Sequence, residues 1–265
     1  MQSVLGRARK ADIVDDPYPH LVIENALDPD YYEQLASEWP ATEIILKGRV
    51  PKSNRNFRYT AHDTLSDERV SPRWREFVAY HVSQAFFNEV CALMGSRIRR
   101  LHPGLEAMVS KPLDEWKSNI LYREERRDIA LECQFTYTAP VEQRSRSVGP
   151  HIDRELALYA GLLYMRDDED DSDGGDLELY RFTRGRPEFD QGTRMLPDER
   201  VTRFRTIRYA KNTFVFMLHS PWSAHGVSPR SVTTFPRLHV NFVGEFTTNI
   251  FDLTPFTVEA KGSVA

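Results

Sequence analysis

Short runs rich in Val, Phe, Tyr, Thr and Leu follow one another through the second half of the chain, each closed off by turn residues. They fall at residues 131–138, 156–165, 177–182, 201–209, 213–218 and 237–246. Runs this short are too brief for the helices of a bundle, and their spacing predicts an all-β sandwich or barrel. The first half reads differently. Asp16-Pro17-Tyr18-Pro19 leads into the β-branched run 20–23, a predicted strand. Asp28-Pro29 carries helix-start chemistry, since Asp accepts from free N–H groups and Pro suits the first turn. That helix is expected over 30–39, ending before Pro40, with 41–66 read as a long, partly ordered loop. Ser71-Pro72 repeats the start signal. Trp74, Phe77, Val78, Val82, Ala85, Phe86, Val90 and Leu93 then recur at three- and four-residue steps, predicting one helix that ends at Gly95. Residues 1–15 are polar and aperiodic and read as a flexible N-terminal arm. The expectation is a mainly β fold with flanking helices. A single domain spans 16–265, with helical support over about 28–95 and a barrel-like core over about 130–246.

Composition narrows the class. The chain has 265 residues, is 40% hydrophobic and includes 15 Phe, 11 Tyr and 4 Trp, which excludes disorder throughout. No apolar run approaches the ~20 residues of a membrane helix, so no membrane partner is expected. The polar, basic start does not read as a secretory signal. Cys91 and Cys133 stand far apart and form neither a disulfide framework nor a CxxC metal knuckle, which fits a reducing, cytoplasmic setting. A net charge of −4 does not favour nucleic acid. The basic clusters Arg97/Arg99/Arg100, Arg123/Arg126/Arg127 and Arg203/Arg205/Arg208 are interspersed with acids and read as solvated surface. The acidic run 167–173 reads as a turn between strands, because Tyr180 stands where a calcium loop needs its bidentate Glu.

The pattern that carries chemistry is Pro150-His151-Ile152-Asp153. In a strand, positions i and i+2 share a face, so His151 and Asp153 offer one nitrogen and one oxygen to a single ion. Ser223-Ala224-His225 supplies a second His downstream. Two His and a carboxylate on one side of a metal suit non-haem Fe(II) oxygenases, although zinc hydrolases draw on the same ligand types. Arg237 opens the alternating strand Arg237-Leu238-His239-Val240-Asn241-Phe242, with Arg237, His239 and Asn241 on one face. A guanidinium in a buried strand is shaped for bidentate capture of a carboxylate. His219 with Arg230 forms a rival pair at nearly the same spacing, but Arg230 sits in a turn-rich stretch, so His225 with Arg237 is preferred. His239 shares the face of Arg237 and is either pocket-lining or a satisfied core residue.

His151-x-Asp153, His225 and Arg237 in this order resemble the signature of the Fe(II)/2-oxoglutarate-dependent dioxygenases. The prolyl-4-hydroxylase-like branch is the nearest. Gly161–Met165, the acidic turn and Gly174-Gly175-Asp176-Leu177-Glu178-Leu179-Tyr180 are similar to that branch's paired strands around a glycine-glycine turn, and Pro17–Ile23 resembles its common opening. The resemblance implies a double-stranded β-helix, a jelly-roll or cupin-like barrel. It implies iron held by His151, Asp153 and His225, and the distal carboxylate of 2-oxoglutarate held by Arg237 with Tyr164 and Tyr137. Fe(II), 2-oxoglutarate and O2 would be required, with ascorbate as a candidate reductant. The implied activity is hydroxylation of a C–H in an amino-acid-like, peptidyl or other small-molecule substrate, with release of succinate and CO2. Related halogenases lack the carboxylate, so Asp153 favours hydroxylation. The Arg-x-Asn-x-Thr pattern of the nucleic-acid demethylases is not reproduced at 237–241. Two other readings of the same residues are a cupin-type metal protein without 2-oxoglutarate and a β-sandwich binding module. Specificity is expected in the segments 41–66, 101–127 and 184–200, and Arg144 and Arg146 are candidates for steering an anionic substrate.

Overall fold

The computed structural model describes residues 2–121 and 127–258. Arg123 and Arg126, and with them part of the 101–127 segment, lie outside the described residues. The strands in chain order are β1 (His20–Ile23), β2 (Asn56–Tyr59), β3 (Ser118–Ile120), β4 (Ile129–Thr138), β5 (Ala157–Tyr164) and β6 (Leu177–Phe182). They continue with β7 (Phe189–Asp190), β8 (Val201–Ile207), β9 (Phe214–Leu218), β10 (His225–Val227), β11 (Arg237–Glu245) and β12 (Thr257–Val258). One sheet runs β1-β9-β5-β11-β4-β2, with β3 added beside β4, and a smaller one runs β10-β6-β8. β12 pairs in parallel with β7. Consecutive strands therefore cross between sheets: β4 and β5 lie in the large sheet, β6 and β8 in the small one, β9 back in the large, β10 in the small and β11 in the large.

The helices are α1 (Pro29–Ser37), α2 (Thr42–Leu46), α3 (Ala61–Ser66), α4 (Pro72–His81), α5 (Gln84–Leu101) and α6 (Leu105–Val109). Asp28 and Ser71 cap α1 and α4 as their chemistry demands. The single helix expected to Gly95 is two. Ser83 leaves helical geometry and its hydroxyl accepts from the Phe86 N–H, so it ends one helix and caps the next. Gly95 lies inside α5, buried against Leu113. The loop expected over 41–66 instead holds α2, β2 and α3, whose period-two and cap signals are only a few residues long. Residues 2–15 are not a loose arm. Val4 and Leu5 are buried, and the Val4 N–H donates to His81 Nε2 at 3.1 Å while His81 Nδ1 donates to Phe77 O. No helix among the described residues is long and apolar enough to cross a membrane.

The alternation of β4 and β11 divides the molecule. Leu131, Cys133, Phe135 and Tyr137 pair with Gly244, Phe242, Val240 and Leu238, on the face that packs against α4 and α5. Trp74 meets Phe135 edge-on at 4.8 Å, and Phe77 and Phe86 both contact Phe242. Glu132, Gln134, Thr136 and Thr138 alternate with these residues, opposite Val243, Asn241, His239 and Arg237. One face of the sheet is thus an aromatic core, and the other is polar although buried. Buried polar groups without partners are costly, so the second face is where a ligand is expected.

Candidate metal centre

His151 and His225 face each other as a hydrogen-bonded pair: the His151 N–H donates to His225 O at 2.8 Å, and the His225 N–H donates back at 2.9 Å. Their strands approach closely because residue 226 is glycine; a Cβ there would lie 2.9 Å from Gly149 O. Each imidazole donates its Nδ1–H to a carbonyl, His151 to Gly149 O and His225 to Ser223 O, both at 2.9 Å. A carbonyl can only accept, so in the neutral form of each imidazole the proton sits on Nδ1 and the lone pair on Nε2. Asp153, two residues along from His151, brings its carboxylate to the same place: Oδ1 is 3.6 Å from His151 Nε2, and Oδ2 is 3.9 Å from His225 Nε2. The donor atoms of His151, Asp153 and His225 all lie within 4.8 Å of one another.

Electrostatics favour this donor set. Burial, and then the neighbouring His151, push the His225 pKa down to about 3, so its imidazole is neutral. Burial alone would raise the Asp153 carboxyl, but the imidazoles of His219, His151 and His225 outweigh it and hold the group well below the usual carboxylate range. Burial would lower the His151 pKa, but the hydrogen bond and charge of Asp153 outweigh it and raise it, so His151 binds a metal by giving up its Nε2 proton, while His225 and Asp153 already hold their metal-binding forms.

His219, the rival ligand, is fully buried at the end of β9, and its Nε2 lies 3.0 Å from Asp153 Oδ2. It falls outside the His151, Asp153, His225 cluster and contacts the same carboxylate oxygen that faces His225. Its backbone oxygen accepts from His102 Nε2 at 2.8 Å. Contacts of this kind fix the angle at which a carboxylate is presented.

Further along the polar face lies a second feature. Arg237 is 4% exposed; its Nε donates to Gly175 O at 2.7 Å and its Nη1 lies 3.3 Å from His239 Nδ1. Nη2 has no partner, and no carboxylate among the described residues comes within ion-pair distance of the guanidinium. It lies over the rings of Tyr164 and Tyr209, at 5.1 and 5.0 Å. Burial, and then the Arg237 charge, keep His239 neutral. Tyr164 Oη and Thr136 Oγ1 are also buried without partners, and burial pushes the Tyr164 hydroxyl up to about 12, so it stays a donor. The turn that supplies Gly175 O requires its glycines. Both have positive φ, and a Cβ on Gly174 would lie 2.0 Å from Pro229 O.

The polar face continues to Asn241 and Val243, which line a cavity of about 570 Å³ together with His151 and Asp153. Gly192–Met195 also line it, and that segment is tied to the residues beside the metal ligands: the Ile152 N–H donates to Arg194 O, and the Leu196 N–H donates to Pro150 O.

The chain is similar to several solved structures. A prolyl 4-hydroxylase from Phytophthora capsici superposes with a TM-score of 0.51 and 14% identity, covering 86% of this chain and 59% of that one. A candidate oxygenase from Shewanella oneidensis gives a TM-score of 0.50 at 14% identity, covering 84% and 80%. A prolyl-4-hydroxylase from Pseudomonas putida gives 0.46 at 13%, covering 86% and 93%. The fold is a double-stranded β-helix. No protein-family model matches the chain, and no curated protein matches it at a significant level.

Within this double-stranded β-helix the residues singled out by sequence are sorted by strand register. His151, Asp153 and His225 converge, and Arg237, Tyr164 and His239 share the buried polar face. Tyr137 does not. It pairs with Leu238 and points into the aromatic core beside Phe57, so its placement in the cosubstrate pocket is corrected. Thr136, one residue earlier, occupies the polar face instead, and the alternation of Glu132, Gln134 and Thr136 in the sequence is the signal that finds it. Arg144 is exposed, and Arg146 is ion-paired with Asp198 at 2.8 Å; neither lines the cavity.

Proposed function

We propose that the chain is an Fe(II)- and 2-oxoglutarate-dependent oxygenase of the prolyl-4-hydroxylase-like kind. It hydroxylates a C–H of an amino-acid-like, peptidyl or other small-molecule substrate. The observation that carries this reading is Arg237: a buried cation with no counter-charge among the described residues, on the strand face that leads to two imidazoles and a carboxylate. An uncompensated buried charge is strongly unfavourable, and a carboxylate ligand removes the penalty. The orphaned Tyr164 and Thr136 hydroxyls beside it are donors to the same anion.

His151 and His225 would hold the iron through Nε2 and Asp153 through its carboxylate. Arg237 would receive the distal carboxylate of 2-oxoglutarate, with Tyr164 and Thr136 completing its hydrogen bonds. Bound there, iron with 2-oxoglutarate and O2 supplies an oxidative decarboxylation that places one oxygen on a substrate carbon and releases succinate and CO2. The chain's own task is orientation. The carbonyls of Gly149 and Ser223 fix both imidazole tautomers, His219 braces Asp153, and 192–195 line the cavity.

The test is an anaerobic titration with Fe(II) and then 2-oxoglutarate, followed in the visible range. A weak charge-transfer band that needs both additions, and that disappears in His225→Ala, is the expected result. Metal uptake without a band on adding 2-oxoglutarate would favour a cupin-type protein. Absence of stoichiometric uptake would overturn the reading altogether.

A further inference from the structure

The cavity beside the metal ligands is not a generic apolar pocket. Three arginines line it, and two are already neutralised: Arg154 pairs with Glu245, and Arg194 lies 3.4 Å from Glu155. Arg58 makes no hydrogen bond or ion pair through its side chain among the described residues. On β4, Glu132 is 2% exposed. Its Oε1 accepts from the backbone N–H groups of Ala61 and Cys133, at 2.7 and 2.9 Å, while Oε2 is buried with no partner. Glu132, buried with one oxygen unpartnered, and the exposed Arg58 are thus the acidic and the basic residue of this lining that no other side chain pairs with among the described residues.

We propose that this cavity takes a free amino acid, whose ammonium seats on Glu132 and whose carboxylate meets Arg58. The proposal rests on the functional reading above, because it names the substrate of that site. A simple cation is repelled by Arg58 and a simple anion by Glu132, so a compact zwitterion is the species that satisfies both. A residue inside a peptide offers neither charge from its backbone, so among the substrate classes of that reading this pair of groups selects the free amino acid. Arg58 stands opposite Thr136, four residues along β4 from Glu132. The backbones are thus separated by about 13 Å along the strand, a gap that the two long side chains and the ligand would span between them. The volume of about 570 Å³ suits a small ligand. A carboxylate left half-satisfied in the protein interior is destabilising, and a feature of that kind is retained where a ligand uses it.

The test is calorimetric titration of the full chain, with and without Fe(II) and 2-oxoglutarate under anaerobic conditions. The probes are the twenty standard free L-amino acids and their N-acetyl and amide derivatives. At least one free amino acid is expected to bind, with a loss of tenfold or more on N-acetylation and again on amidation. Glu132→Gln keeps the Oε1 contacts, so it is expected to fold and to lose tenfold or more in affinity for the free form. Arg58→Ala, at an exposed position, is expected to weaken the free acid but not its amide. No binding by any free amino acid, equal binding of the N-acetyl form, or an unchanged Glu132→Gln would overturn the proposal. The Fe(II)/2-oxoglutarate band of the wild type separates the two ideas: a band without amino-acid binding sinks this inference alone. Amino-acid binding without a band sinks the oxygenase reading alone.

Discussion

Two arginines buried against the same tyrosine ring have opposite surroundings. Arg230, 1% exposed, donates through Nη2 to Asp170 Oδ2 at 2.7 Å and through Nε to Ser172 Oγ at 2.8 Å. Arg237, 4% exposed, has a backbone carbonyl and a neutral histidine as its partners and no carboxylate. Both guanidiniums lie over Tyr209, at 5.8 and 5.0 Å. Burial alone does not tell a structural charge from a binding one; what differs is whether the chain supplies the counter-charge itself.

The largest expected effect is on the compensated side. Arg230→Met leaves Asp170 buried without its main partner and should cost about 3–5 kcal/mol in chemical denaturation. A loss under about 1 kcal/mol would erase the contrast between the two arginines. Next comes Glu132, whose carboxyl is raised from 4.5 to about 7 by burial, against the pull of its two backbone donors. Its folded pKa exceeds its unfolded value, so the native state holds the extra proton between pH 4.5 and 7. Stability therefore falls as pH rises through that window and is level above it. Glu132→Gln should remove the fall and stabilise the protein by about 3 kcal/mol at pH 8 but not at pH 4. Thermal melts at the two pH values read this directly, and equal melting shifts at both would contradict it.

On the uncompensated side, Arg237→Met should leave stability unchanged or raise it by about 1 kcal/mol, since it removes an unpaired buried charge. The same variant should bind 2-oxoglutarate at least tenfold more weakly; a stability loss near that of Arg230→Met would make Arg237 structural. The smallest effect belongs to the surface. Arg181 and Asp16 pair with side chains 51% and 63% exposed. Arg181→Ala should change stability by less than about 0.5 kcal/mol, and by less still in high salt.

Much of the β half is legible in sequence because short amphipathic runs repeat at strand spacing. β4, β5, β6, β8, β9 and β11 all fall within the predicted runs to within a few residues. The pair His151 and Asp153 is legible for the same period-two reason. The misses have local causes. α4 and α5 read as one helix because the apolar period runs through Ser83 without a break, and only the capped turn divides it. Residues 2–15 look like a loose arm because three buried residues, Val4, Leu5 and Ile13, are too few to set a period. Tyr137 belongs to the apolar face, and its own strand shows it, since Leu131, Cys133, Phe135 and Tyr137 alternate together there.

The sequence by itself determined which side chains share a strand face, because alternation is a covalent property of extended backbone. It thereby set His151 with Asp153, and Arg237 with His239 and Asn241. Which faces meet was decided by tertiary structure alone. His225 reaches His151 through a bridge between distant segments, Gly175 supplies the carbonyl that holds Arg237, and Asp170 reaches Arg230 across the fold. Whether a buried charge is answered depends on residues far away in the chain. That is why the unanswered groups on Arg237 and Glu132 become visible only once the double-stranded β-helix has closed around them.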